Sequence, residues 1–226
     1  MQLSLSKTDL QSYISSQINC FFPDKNIVNL CDYGKNVDIA LQRLDFCFKH
    51  VSHQRYNNGD TTLFNHLYAD HYLVFIWFLA NTIWKETGNQ ILASKLYYLN
   101  KILHSFDCMY DTCLPDIFLI FHSSSTMLGK ATYGNFFVAL HGCTVGSHKG
   151  QYPVMGKGVA LTAHSAIIGN CKIGNSVSIS VHTSVFQKDI PNNTVVFTDS
   201  NTGRMHLKPS IVPYAQQFFN VNFNNL

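Results

Sequence analysis

The residues that could do chemistry are mostly imidazoles. Of the eleven histidines, five fall between residues 120 and 185: His122, His141, His148, His164 and His182. An imidazole works near neutral pH as a general base, a metal ligand or a plain hydrogen-bonding group. His164 and His182 stand eighteen residues apart, a spacing that would suit a shared metal. A metal site needs three or four ligands. The positions eighteen residues to either side, Gly146 and Ser200, supply none, so no metal is expected. Asp107, Asp111 and Asp116 are carboxylates shortly before His122, and Lys149 adjoins His148. Lys149 and His148 would meet a phosphate or simply stand in solvent. The seven cysteines are scattered without a C-x-x-C pair, which points to reduced thiols and a cytoplasmic location.

The elements that position these groups show in the period of the chain. From Met155 the sequence reads in sixes: MGKGVA, LTAHSA, IIGNCK, IGNSVS, ISVHTS, then Val185. Each first residue is aliphatic or Met, and each fifth (Val159, Ser165, Cys171, Val177, Thr183) is small or β-branched. This is a hexapeptide repeat. Aliphatics at the first position stack into a core, small residues fit the crowded corners, and each rung needs the next to pair its backbone. The repeat runs more loosely upstream as FHSSST from residue 121, MLGKAT, YGNFFV and ALHGCT, with Phe137 breaking the small-residue rule. Ten residues separate Val145 from Met155 where six are due. Four extra residues within GSHKGQYP must therefore leave the scaffold as a loop, a plausible seat of function.

Residues 1–106 read differently. ILASKLYYLNKILHSF places Ile91, Leu92, Leu96, Leu99, Ile102 and Leu103 near one face at helical spacing. TGNQ before it supplies cap and turn chemistry. HQRYNNGDTT, residues 53–62, reads as a loop. The apolar run YLVFIWFLANTIW, residues 72–84, is too short for a membrane span, which takes about 20 residues, and is expected to be a buried helix. The fold class reads as α+β: a helical domain over 1–106, a hexapeptide-repeat β domain over 107–198, and a tail over 199–226.

Composition narrows the partners. Charged residues make up 13%, about half of the usual ~25%, which suggests surface hidden in an oligomer. The formal charge of +3 comes without a Lys/Arg run, so neither nucleic acid nor an anionic membrane is indicated. The polar start MQLSLSKTDLQS shows no secretory signal.

The second half resembles the hexapeptide acyltransferases, in particular the serine acetyltransferase-like branch, and the resemblance extends from about residue 88. FHSSSTMLG (121–129) is similar to the segment carrying the family's catalytic histidine, which implies His122 as general base. Asp107 stands fifteen residues earlier, where the resemblance implies a carboxylate that orients the base. LHGCTVG and QYPVMGKGVALTAHSAIIGN resemble the following coil, the acceptor loop and the acetyl-CoA coil. The resemblance implies a left-handed parallel β-helix over 107–198, in which three hexads make one coil, so His164 and His182 would stack, with His141 one coil beyond His122. The resemblance further implies acetyl-CoA as donor and a trimer or dimer of trimers with sites between subunits. Gly146 and Ser147 would hold the oxyanion through backbone N–H groups, and Ala163, His164 and Val181 would line the path of the cofactor.

The departures bear on the acceptor. The family carries an acidic residue where this chain has Phe121, and Arg-His where it has Gln151 and Tyr152. Groups suited to a zwitterion are thus replaced by neutral ones, and an aromatic with an amide suits a sugar. The expected function is an acetyl-CoA-dependent O-acetyltransferase acting on a saccharide hydroxyl, as in bacterial surface-polysaccharide pathways; Phe121, His141, Gln151 and Tyr152 are the acceptor candidates. Serine O-acetylation is the alternative, N-acylation of an amino sugar is a third, and a non-enzymatic scaffold is the reading of another class. The repeat is expected to end at PNN after Ile190, with the tail either capping the last coil or completing the cofactor site. The closing Asn-Asn-Leu does not match the ending by which serine acetyltransferases dock a partner enzyme.

Overall fold

A computed structural model describes residues 1–223; the closing Asn-Asn-Leu lies outside the described residues. The chain divides into two compact units, Met1–Lys49 with His53–Asp111, and His50–Ser52 with the chain from Thr112 onward.

The first unit is helical: α1 (Lys7–Phe21), α2 (Gly34–Lys49), α3 (Ala69–Thr87) and α4 (Gln90–His104). Ser6 caps α1 by accepting the Asp9 N–H. Every residue of α3 from Asp70 to Ile83 is buried, as an all-round apolar helix must be, and α3 packs against α2 and α4. Arg43 of α2 lies 4.6 Å over the Phe78 ring and reaches the Thr82 hydroxyl at 2.8 Å. Gly88, at φ 67°, ends α3, and Asn89 caps α4 by accepting the Leu92 N–H, as the TGNQ stretch predicts. The α4 face is narrower than its sequence suggests. Leu92, Leu96 and Leu99 are buried, whereas Ile91, Ile102 and Leu103 are exposed: at 100° per residue the predicted stripe is wider than the contact with α3.

The second unit is a parallel β-solenoid. Its first face stacks Phe118–Ile120, Phe137–Ala139, Ala160–Leu161, Ser178–Ile179 and Thr194–Thr198. Its second stacks Thr126–Leu128, Thr144–Gly146, Ala166–Ile168 and Ser184–Phe186. The third is made by Val154–Met155 and Lys172–Ile173, with isolated bridges Thr132↔Val154 and Ile173↔Ile190. The hexads from Met155 point inward as expected: Met155, Leu161, Ile167, Ile173, Ile179 and Val185 are all buried. The solenoid then continues one rung past the expected stop at PNN, because Val196 pairs with Ile179 and is fully buried.

The upstream frame differs from the sequence reading. Leu128, not Met127, aligns with Val145, and Ile120, not Phe121, aligns with Ala139. Leu128 is 1% exposed and Met127 49%. Between the aligned pairs, 121–126 supplies six residues where 140–143 supplies four, so FHSSST mimics a hexad but contains a widened corner. The tail covers an edge. Met205–Pro209 pairs antiparallel with Thr194–Thr198, shielding the last rung from edge pairing. Phe219 and Phe223 then pack on Phe136 at 5.3 and 5.5 Å between ring centroids.

The frame is testable. Leu128→Ala is expected to cost about 2–5 kcal/mol and Met127→Ala less than ~0.5 kcal/mol, read as the shift in urea unfolding midpoint. A larger shift for Met127→Ala than for Leu128→Ala would restore the uncorrected frame.

Candidate functional site on a solenoid corner

One corner, between the first and second faces, carries His122, His141, His164 and His182. The αL position of this corner is occupied in successive coils by Ser125, Gly142, His164 and His182, at φ 60°, 68°, 58° and 55°. Their equivalence follows from the registers of the strands that follow, Met127↔Thr144, Thr144↔Ala166 and Ala166↔Ser184. A left-handed residue turns the chain sharply, and its side chain then projects from the corner. The His164 and His182 rings stack 5.0 Å apart and 2° from parallel, and His141 meets His164 edge-on at 5.1 Å. The stacking expected at a spacing of eighteen is therefore present.

Gly142 makes room for this ladder. A Cβ on Gly142 would lie 2.2 Å from His164 Nδ1, so the imidazole rests on bare backbone. His164 donates its N–H to the His141 carbonyl at 3.0 Å, and His182 to the Ala163 carbonyl at 3.1 Å. Ala163 and Val181 thus precede the stacked histidines on adjacent coils, and Val181 is exposed. Beneath the corner, Cys143 is fully buried and burial pushes its thiol pKa up, which leaves it a poor nucleophile. Among the described residues no group of three or more His, Cys, Asp or Glu could hold a metal ion.

His122 sits on the widened corner of the first coil. It is exposed, with φ 51°. The register changes from nineteen at Phe118↔Phe137 to seventeen at Met127↔Thr144 across this corner, where the Gly142 N–H donates to the Ser124 carbonyl at 2.8 Å. Phe121 beside His122 is buried; it packs against Phe218 of the C-terminal turn at 5.1 Å, with the His122 ring at 6.0 Å. The Phe121 phenyl is thus a seat for the tail.

The four-residue insertion folds tightly. His148 and Gln151 exchange two backbone hydrogen bonds of 3.0 Å, and Lys149 and Gly150 between them have φ 48° and 73°, the two left-handed residues of a type I′ turn. His148 packs on Phe186 at 5.0 Å and over Gly169, whose added Cβ would come 3.0 Å from that of His148. Gln151 and Tyr152 are exposed at the base of the hairpin, ahead of buried Pro153. Gly146 ends its strand and Ser147 is exposed. The sequence reading missed the hairpin's tightness, although Lys-Gly was its signal, and the seating of Phe218, for which nothing local signals.

Comparison with known proteins comes down on the fold. The structure matches a serine acetyltransferase from Brucella abortus strain S19 at TM-score 0.68 and 16% identity, covering 92% of this chain and 85% of that one. It matches a serine acetyltransferase from Neisseria gonorrhoeae at TM-score 0.66 and 18% identity, covering 90% and 79%. The fold is the left-handed parallel β-helix. In sequence, serine acetyltransferase 2 of Arabidopsis thaliana is 29% identical over 123 residues, 52% of this chain. The match spans only 38% of that relative's length, and 34% of serine acetyltransferase 4 from the same plant. No protein-family model matches the chain. Among the described residues no helix is long and apolar enough to cross a membrane.

Asp107 belongs to the helical unit. Its carboxylate accepts from the Tyr97 hydroxyl at 2.8 Å and the Lys101 ammonium at 2.6 Å, and it holds the Lys101 pKa above its ordinary value. Its pairing with His122 rests on the fifteen-residue spacing alone.

Gly142→Ala is expected to displace the His164 ring and shift the imidazole NMR signals of both His164 and His182, at a backbone cost of about 1–2 kcal/mol for a left-handed alanine. Gly150→Ala, with nothing within 4 Å of its added Cβ, is expected to leave those signals in place. Unmoved signals in Gly142→Ala would show that the ladder does not depend on bare backbone.

Proposed function

We propose that this chain is an acetyl-CoA-dependent O-acetyltransferase of the serine acetyltransferase type, with His122 as general base and serine as acceptor. The observation that carries the reading is an exposed histidine, at the position the resemblance marks, on the widened left-handed corner of this solenoid. The sequence likeness to two serine acetyltransferases supports the acceptor, and it favours serine over the saccharide expected from the loop. Solved neighbours include a serine acetyltransferase described in complex with coenzyme A and another with serine.

The chemistry asked of the corner is modest. A hydroxyl is a weak nucleophile at neutral pH. His122 takes its proton as oxygen attacks the thioester carbon, the tetrahedral oxyanion collapses, the C–S bond breaks, and the imidazolium returns the proton to the departing thiolate. Such a base contributes typically 10²–10⁴-fold. Backbone N–H groups at Gly146–Ser147 are the candidate oxyanion donors, and the path past Ala163, His164 and Val181 is the candidate run of the donor's pantetheine arm. Assembly as a trimer or dimer of trimers belongs to the same reading; the charged fraction of 13% supports it.

A second reading keeps the donor and changes the acceptor to a saccharide hydroxyl. Gln151 and Tyr152 favour it: both are neutral and exposed, where the family carries Arg-His.

The test is thiol release from acetyl-CoA with L-serine and with a panel of bacterial surface saccharides. Serine-dependent release is expected, with His122→Ala lowering it about 10²-fold or more while acetyl-CoA binding persists. Release with saccharides alone would move the chain to the second reading. Release with neither acceptor, or full activity in His122→Ala, would overturn the mechanism.

A further inference from the structure

The helical unit contains a cavity of about 420 Å³, within the usual size of a small-molecule site. It is built where Gln2–Leu3 pairs in parallel with Leu63–Phe64, ahead of the first turn of α3. Its lining is mainly apolar and aromatic and includes no acidic side chain. Arg55 is exposed on the lining, its guanidinium 5.5 Å over the Tyr68 ring. Among the described residues it has no carboxylate partner.

His71 also lines the cavity and is 1% exposed. Its ring is held among Tyr56 at 4.3 Å, Tyr68 at 4.6 Å and Phe48 at 5.0 Å. Burial lowers its pKa to about 3, so it is neutral. Nδ1 accepts the Asn65 N–H at 3.2 Å, which puts the ring proton on Nε2. That Nε2 is buried and has no hydrogen-bond partner. A buried donor left without an acceptor is destabilising. Proteins retain such groups where something else gives a return.

These features select a ligand class. The exposed Arg55 guanidinium, with no carboxylate partner among the described residues, favours a group that accepts hydrogen bonds and carries negative charge. Arg presents paired donors that fit a carboxylate in particular. The aromatic walls favour an apolar body. A cation is disfavoured by Arg55, and a fully polar anion would leave Phe64 and Leu63 without a partner. We propose that the helical unit carries a second ligand site, for a small organic carboxylate with an apolar body, in the cavity lined by Arg55, Leu63, Phe64, Tyr68 and His71. The inference does not depend on the solenoid's reaction.

Calorimetric titration of the full chain with phenylacetate and 4-methylpentanoate, against neutral phenylacetamide, tests it. Saturable binding of the carboxylates is expected, at least roughly tenfold tighter than the amide. Arg55→Ala, at an exposed position, should weaken it by a similar factor, and Leu63→Trp, which fills the cavity from a half-exposed position, should abolish it. Thermal unfolding of both variants verifies that they fold. Absence of saturable heat at tens of millimolar (roughly the weakest affinity such a titration reads) would overturn the proposal. So would carboxylate binding that is indifferent to Arg55→Ala in a folded variant, or equal binding of the amide.

Discussion

A strand of two or three residues has too few hydrogen bonds to persist alone. In the solenoid such strands are paired by the rungs of neighbouring coils, on both sides within each face and on one side at its ends, and that mutual pairing is the constraint from which the remainder follows. It fixes the register, because a rung that slips by one residue turns its inward aliphatic to solvent. It also fixes where the chain can vary. The offset between coils is eighteen at Ala166↔Ser184 but twenty-two at Thr144↔Ala166, and the surplus is absorbed entirely in the His148–Gln151 hairpin. The two surplus residues of the first coil are likewise absorbed at the His122 corner. Rungs stay invariant while corners take up every irregularity, so the corners are where distinctive side chains accumulate.

The corner geometry then decides how those side chains meet. A residue in the left-handed region points its side chain out of the turn, and the same position one coil on points the same way. Two histidines at that position must lie face to face, as His164 and His182 do. The next member of the row is glycine, and its bare backbone admits the His164 ring at a distance no Cβ would allow. Replacing the side chain by a proton on one coil therefore sets the ring position on the next. His141, one residue earlier in the corner, closes the row edge-on.

What the sequence discloses of this arrangement depends on how regular the chain is. Downstream of Met155 the period of six is unbroken, and both the inward residues and the histidine stack can be read from it. Upstream, FHSSST has the composition of a hexad but eight-residue geometry, since composition does not count the residues spent on a corner; the frame therefore slipped at Phe121 and Met127. The helical half shows the same contrast. The caps at Gly88 and Asn89 are local and legible, whereas the buried width of α4 depends on how much of it α3 covers. The cover over Phe121 comes from Phe218, nearly one hundred residues on, and no local pattern announces a contact of that range.

The acceptor is the point on which fold and sequence pull apart, and the constraint explains why. Pairing between rungs needs backbone and inward aliphatics, which many sequences supply; 16% identity suffices for a TM-score of 0.68. The outward groups that would recognise an acceptor lie on a hairpin and a widened corner that the rungs do not restrain. A shared scaffold can therefore persist while outward residues such as Gln151 and Tyr152 vary. The 29% likeness to serine acetyltransferase 2 extends over about half of this chain and is the support for the proposed serine acceptor. Gln151 and Tyr152 are neutral, so Lys149 at the tip is the fixed cation this hairpin offers a carboxylate, and an amide alone does not replace the hydration such a group loses. A serine-acetylating chain with this hairpin would have to meet the serine carboxylate with Lys149 or with a cation from outside the hairpin.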